Sequence, residues 1–336
     1  MSFLIQQTII YAVPLMTVAL AGVFAERSGI VNLALEGIMI FGAFTGVLFI
    51  NIMQTVFSFP KENAMLLMLM TMLFSGICGF IFSFLLSFAA VRLKSNQTVS
   101  GTALNMLSAA LVMFFINLIA NQNVLSMAEG DASGWFMIRK SALGFDPRTD
   151  YGFLAETFFF KTYPASYICI LLFILLSVML YKTPFGLRLR ACGENPHAAD
   201  SLGISVPSMR YLGTGISGFL SGIGGFVFAL TTANCSASGE VAGFGFLALA
   251  VMIFGNWTPL PIFGASLLFG VFKCVAAAYS TLDINGDGKF LLAELGISTN
   301  FYRILPYLIT LIVLAFTSKK SRSPRAAGIP FDKSLR

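Results

Sequence analysis

The chain has 336 residues, of which 57% are hydrophobic and only 11% charged, against about 25% charged in an ordinary soluble domain. That leaves too little polar surface to cover a core in water, which excludes a soluble globular protein, a disordered chain and a coiled coil. The formal net charge is +6, from 21 Lys and Arg against 15 Asp and Glu; in so apolar a chain its placement orients helices in a lipid bilayer rather than pointing to nucleic acid.

The apolar runs are continuous, unlike the short alternating strands of a membrane barrel, and they approach the ~20 residues that cross the hydrocarbon core. The fold class is therefore all-α, a polytopic membrane helix bundle. In chain order the crossings are predicted near 8–25, 37–57, 64–91, 100–121, 165–181, 212–232, 242–256, 261–282 and 302–317. That makes about nine, or ten if a half-length helix forms near 26–36. The first run lacks a basic n-region and a small-residue cleavage site, so it is expected to stay as a membrane helix. Basic residues gather in four stretches: Arg27; Arg92 and Lys94; Lys182, Arg188, Arg190 and Arg210; and Lys319, Lys320, Arg322, Arg325, Lys333 and Arg336. Nine crossings place all four on one side, which is then cytoplasmic, with the N-terminus outward. The loops at 122–164 and 283–300 face outward and carry Glu129, Asp131, Asp146, Asp150, Glu156, Asp283, Asp287 and Glu294. The domain reading is a membrane domain over 1–318, with a cytoplasmic loop at 182–211, and a basic cytoplasmic tail over 319–336.

Small residues recur inside the runs. Gly42 and Gly46 are spaced as GxxxG, as are Gly218 and Gly222, with Ser221, Gly224 and Gly225 beside them. Such spacing lets helices approach backbone to backbone, in a tight bundle or at a moving interface. Met39-Ile40-Phe41-Gly42 recurs as Met252-Ile253-Phe254-Gly255, a short repeat of the kind that internal duplication leaves in transporters. The five cysteines are scattered, with no CxxC, so no disulfide framework is expected. No G-x-x-x-x-G-K-[ST] occurs, so this chain does not bind ATP by a P-loop. Neither G-x-S-x-G nor H-E-x-x-H occurs, which argues against a membrane hydrolase.

The loop at 182–211 carries the clearest local signal. Asn195 suits an N-cap and Pro196 the first helical position, while Gly203 suits the left-handed position past a helix end. A short helix is predicted from about Pro196 to Leu202, with Ala198, Ala199 and Leu202 as a small apolar face. Such a face fits docking into a partner's groove or lying on the membrane surface. His197, the one histidine, falls here and is read as a surface residue.

This loop resembles the coupling loop of ABC importer permeases of the ribose and branched-chain amino acid group. Three further stretches are similar to motifs of the nucleoside-uptake branch: Gly22 to Gly37 (GVFAERSGIVNLALEG), Asn96 to Asn105 (NQTVSGTALN) and Phe246 to Pro259 (FLALAVMIFGNWTP). The motifs stand in the family's order and the resemblance covers most of the chain. It implies a multi-pass permease subunit in the cell's inner membrane that passes a small polar solute, most closely nucleosides, with simple sugars or riboflavin as alternatives. It implies no chemistry in this chain. ATP hydrolysis would belong to a separate ATP-binding subunit, beside a second permease subunit and an extracytoplasmic solute-binding protein. Gly193, Glu194, Asn195, Pro196, Ala198, Ala199 and Gly203 would couple to the ATPase.

Polar residues in or beside the apolar runs are the candidates for a solute path: Asn32, Glu36, Gln97, Ser100 and Asn105. Nucleosides and sugars offer hydroxyls and ring nitrogens that amides and hydroxyls match. An intramembrane carboxylate such as Glu36 suggests function by default; the alternative is a local pairing among Glu26, Arg27 and Glu36. The alternative for the amides is bonding to neighbouring helices. Trp257 is read as an interfacial anchor. The rival to an importer subunit is a self-sufficient channel or secondary transporter, for which Glu36 and Lys273 are the intramembrane ionisable groups.

Residues 283–294 depart from the family. Asp283, Asn285 and Asp287 would supply side-chain oxygens to a calcium ion, Lys289 its backbone carbonyl and Glu294 both carboxylate oxygens, with Gly288 at the sharp turn. Leu291 offers no side-chain oxygen, and the alternative is a solvated acidic turn. No cofactor is otherwise required. If calcium binds, millimolar calcium raises the melting temperature of the wild type and leaves Glu294→Ala unmoved; melting curves that are the same in calcium and in chelator remove the site.

Overall fold

The computed structural model of the chain describes residues 2–140, 146, 151–278, scattered positions between 301 and 311, and 322–333. The predicted crossing at 302–317 lies largely outside these residues, and the loop at 283–294 entirely so.

The described chain is helical almost throughout. Helix α1 (Ser2–Arg27) is followed by a non-helical segment and α2 (Leu35–Thr55). After a 3-10 turn at Lys61–Asn63 come α3 (Ala64–Val91) and α4 (Gln97–Ala120). The next connection holds β1 (Leu125–Ser126) and the short helices α5 (Ala132–Phe136) and α6 (Phe153–Phe158). Then follow α7 (Pro164–Lys182), α8 (Pro184–Glu194), α9 (Pro196–Ser201) and α10 (Val206–Thr231). Strand β2 (Ser236–Ala237), α11 (Phe244–Phe254) and α12 (Pro259–Ala278) complete the order. The two strands form one short antiparallel pair, Leu125 opposite Ala237, which joins two loops at one end of the bundle.

Among the described residues seven helices, α1, α2, α3, α4, α7, α10 and α12, are long and apolar enough to cross a bilayer, in agreement with the all-α multi-pass reading. Two details differ from expectation. The half-helix predicted near 26–36 is absent: α1 ends at Arg27, and residues 28–34 turn through Gly29 at φ +98°. The half-length helix is α11 instead. Its 11 residues span about 16 Å at 1.5 Å per residue, roughly half the hydrocarbon core. The predicted crossing at 242–256 is therefore a half-length helix, α11, with two turn residues at either end.

Helix α10 packs against α1, α2 and α3, and small residues make that possible. A Cβ added to Gly42 of α2 would stand 2.5 Å from the Gly222 carbonyl oxygen of α10. Ser75 of α3 places its Oγ 2.8 Å from both the Gly42 and Gly222 carbonyl oxygens. Three backbones thus meet around one hydroxyl, the close approach that small residues permit in a membrane. On the outside, α3 exposes Leu69, Leu73, Ile77, Ile81 and Phe88. Such a patch would be a liability in water and is an ordinary lipid-facing surface.

A leucine at this contact has no room, and overpacking of this kind costs about 1–3 kcal/mol. Gly222→Leu is expected to lower the melting temperature of the detergent-solubilised protein well below that of Gly264→Leu, whose added side chain meets open space. Equal melting of the two variants would contradict the packing account.

Candidate functional site

The non-helical segment 28–34 is held by side chains from two other helices. Gln97 Oε1, at the start of α4, accepts from Val31 N at 2.7 Å. Asn105, two turns on, accepts from Gly37 N at 2.7 Å and donates to the Leu33 carbonyl at 2.8 Å. Ser108 Oγ donates to the Gly37 carbonyl at 2.5 Å. Asn32 donates to Ser217 Oγ of α10 at 2.9 Å and accepts from Ala34 N. Backbone that leaves the helix inside a membrane must find such partners. Asn105 lies about 12 Å along α4 from its first residue at helical rise, so the segment dips well into the bundle. Ser100 stands apart, bonded to Ser95 Oγ and the Asn96 carbonyl.

Glu36 sits in the first turn of α2 and meets the first turn of α11. Its Oε1 accepts from Gly243 N at 3.0 Å, and its Oε2 from Gly245 N at 2.5 Å and Phe246 N at 3.3 Å. Three otherwise orphaned helix N–H groups converge on one carboxylate, and the helix dipole favours negative charge there. Lys273 of α12 interacts electrostatically with Glu36 and lies 4.9 Å from the centre of the Phe244 ring, a cation–π contact. The two helices therefore begin against each other inside the protein.

Beside this junction a cavity of about 500 Å³ opens, lined by Tyr11, Phe228, Thr232, Glu240, Phe244 and Lys273, with Ala242, Ala276 and Ala277. Its size and mixture of rings with a few polar groups suit a small organic solute. None of the five residues expected to line a path reaches it. The sequence does not single out Tyr11, Phe228 or Glu240: isolated aromatics in apolar runs carry no local signal, and Glu240 falls in the polar connection between two predicted crossings. The intramembrane charge of Lys273 is the one signal that could have led there.

At the opposite end of α11, Trp257 is buried and donates Nε1 to Glu26 Oε2 at 2.6 Å. Trp257 is thus a buried hydrogen-bond partner rather than an exposed interfacial anchor. No hydrogen bond or salt bridge joins Glu26, Arg27 and Glu36 to one another, although Arg27 acts on Glu26 electrostatically. Glu26 bonds Trp257, Glu36 caps α11, and Arg27 Nη1 reaches Glu194 Oε1 at 3.2 Å. Next to them Arg210 is 1% exposed, with Nε and Nη2 unpaired, and its guanidinium lies so close to Gly29 that any Cβ there would stand 2.9 Å from Nη2.

The predicted short helix forms as α9. Asn195 Oδ1 accepts from Ala198 N at 3.1 Å, Pro196 is the first helical residue, and Gly203 takes φ +79°. Its apolar face is split. Ala199 is buried with Cys192 and Val206, and burial pushes the Cys192 thiol up, which keeps it protonated in this small core. Ala198 is exposed, and Leu202 is 82% exposed. Gly193 packs its Cα against the Arg27 carbonyl. Of the residues expected to couple, Gly193, Pro196 and Ala199 hold α9 from within, and Ala198 faces out.

Residues 4–314 match the family described as branched-chain amino acid transport system / permease component. The chain belongs to this permease family. It is 36% identical to the guanosine ABC transporter permease protein NupQ of Bacillus subtilis, over all of this chain and 98% of that one. It is also 36% identical to the nucleoside ABC transporter permease protein NupC of Lactococcus lactis, over 99% of this chain and 98% of that one. A more distant relative is the guanosine ABC transporter permease protein NupP of Bacillus subtilis, at 26% over 81% of this chain and 73% of that one. No solved structure matches the chain. The chain is thus a multi-pass transport subunit of an ABC importer. Among the described residues of this permease, no three His, Cys, Asp or Glu gather as a metal site.

The permease's inner junction depends on the Glu26–Trp257 bond. Trp257→Phe keeps a smaller aromatic ring but leaves a buried carboxylate without its donor, which costs about 1–3 kcal/mol. The purified variant should melt below wild type, and Glu26→Gln, which still offers an oxygen to the indole, should melt above Trp257→Phe. The reverse order would contradict the bond's role.

Proposed function

We propose that this permease imports nucleosides. The observation that carries the reading is the end-to-end similarity to permeases named for guanosine and nucleosides. The cavity beside Glu36 is chemically apt. Tyr11 offers a ring face and a hydroxyl, and Lys273 and Glu240 offer charged partners for ribose hydroxyls and base edges. Asn32, Glu36, Gln97, Ser100 and Asn105 contribute to the path, all but Ser100 by holding the segment 28–34 and the starts of α2 and α11 in place; the buried Nε2 of Gln97, which has no partner, remains available to a solute or a water.

The energy comes from ATP hydrolysed on a separate subunit that docks on α9 through Ala198 and Leu202. A second permease subunit completes the path, and an extracytoplasmic binding protein delivers the solute. The similarity to both NupQ and NupP, two permeases of one organism, favours a pair of unlike permeases. The basic end of the bundle, with α8, α9 and residues 322–333, faces the cytoplasm by the positive-inside rule.

The test is uptake by the complete importer in proteoliposomes, with labelled guanosine, glucose, riboflavin and leucine offered in turn. ATP-dependent accumulation of guanosine alone is expected. Uptake of a different solute would reassign the substrate, and uptake by this chain without ATP would reassign it as a channel or secondary transporter. Tyr11→Ala should raise the half-saturating guanosine concentration about tenfold if the ring stacks on a base. Ala198→Glu should leave the permease in the membrane and abolish both uptake and ATPase co-purification, because the new charge would be buried unpaired in the docked face.

A further inference from the structure

Residues 322–333, which the sequence presents as part of a basic tail, cross the basic end of the bundle as a docked strap. Arg322 N donates to Asn256 Oδ1 at 2.7 Å, just past the end of α11. Ala326 N donates to the Gly193 carbonyl at 2.9 Å, and Gly328 N to the Gly29 carbonyl at 3.3 Å. The Phe331 ring lies 5.2 Å from that of His197 and packs on the small core of Cys192, Ala199 and Val206. Asp332 Oδ2 pairs with Lys94 Nζ at 2.5 Å in the turn between α3 and α4. Lys333 Nζ reaches Asp200 Oδ1 of α9 at 3.6 Å. Four separate parts of the fold are thereby tied together: the end of α11, the α8–α9 junction, the segment 28–34, and the α3–α4 turn.

We propose that this strap positions α9 for its ATPase, with Phe331 and Lys333 holding the helix and Asp332 anchoring them to the α3–α4 turn. The inference rests on α9 being the coupling helix. A helix of six residues has no stability of its own, and α9 buries little beyond Pro196 and Ala199. A push on exposed Ala198 and Leu202 would be spent on moving α9 alone unless something ties it to the membrane helices. The strap makes that tie, and through Gly29 and Asn256 it reaches the connection between α1 and α2 and the end of α11. Each ion pair is partly exposed and weak alone, but both act with Phe331 on the same short span.

The experiment uses the complete importer in proteoliposomes and reads guanosine taken up per ATP hydrolysed, together with melting temperature and ATPase co-purification. Phe331→Ala combined with Asp332→Lys is expected to lower uptake per ATP about fivefold, the effect of losing roughly one interaction, while the complex stays assembled. The charge swap Lys94→Asp with Asp332→Lys is expected to recover most of the loss caused by Asp332→Lys alone. The proposal is overturned if the strap variants transport with wild-type coupling. It is also overturned if the loss merely follows the amount of folded complex and the swap recovers nothing. Ala198→Glu separates the two readings. If it transports normally, α9 is not the coupling helix and the strap proposal falls with it. If it uncouples transport while the strap variants do not, the strap proposal alone fails.

Discussion

A carboxyl group inside the hydrocarbon depth must be surrounded by donors, and Glu36 has three of them, all backbone amides at the start of α11. That arrangement allows a helix to begin inside the bundle. Without the carboxylate, the first N–H groups of α11 would be buried with no acceptor, in a place where water cannot replace one. The cap also fixes where the loop at 232–243 must end, and with it the wall of the cavity formed by Phe244, Lys273 and Tyr11. On the other side of the same contact, α2 begins where the segment 28–34 ends. That segment is secured by Gln97, Asn105 and Ser217, and the first turn of α2 by Asn105 and Ser108. The starts of α2 and α11 thus share one junction.

Around the junction the rest of the fold is packed for close contact. The interface of α2, α3 and α10 brings three backbones around Ser75, so these helices transmit displacement instead of absorbing it. The end that carries α8 and α9 is built differently. There short elements are joined by backbone hydrogen bonds, one small apolar core and ion pairs such as Arg27 with Glu194 and Lys94 with Asp332. A tightly packed membrane part joined to a polar, reversibly bonded face is what an importer needs if ATP-driven movement at α9 is to reach a solute between the helices.

Local patterns made much of this legible. Continuous apolar runs gave the long helices, and Asn195, Pro196 and Gly203 gave α9 nearly to the residue, since a cap is a property of four or five consecutive positions. The basic stretches named one end of the bundle, and Arg27, Lys94 and the segment 322–333 do meet there. What stayed hidden depends on partners far along the chain. Glu36 reads as a lone intramembrane acid, and its partners stand more than 200 positions away. For Asn32, Gln97 and Asn105 the sequence leaves path-lining and helix-bonding both open, and their bonds to the backbone of residues 31–37 show only in the fold. Trp257 sits at a membrane edge by hydropathy, yet its indole has a buried carboxylate to serve. The apolar run at 242–256 does not show that its first residues are loop. The tail's charge suggests solvent, while the small core that receives Phe331 is assembled from α8, α9 and α10.

The central claim, that the Glu36 carboxylate holds the start of α11 inside the membrane, is tested most directly by hydrogen exchange at the amides of Gly243, Gly245 and Phe246. The account predicts that Glu36→Ala accelerates exchange at these three positions by about tenfold or more, the effect of losing acceptors worth roughly 1–3 kcal/mol, and leaves the amides of α9 unchanged. Protection at the three amides equal to that of the wild type would contradict it.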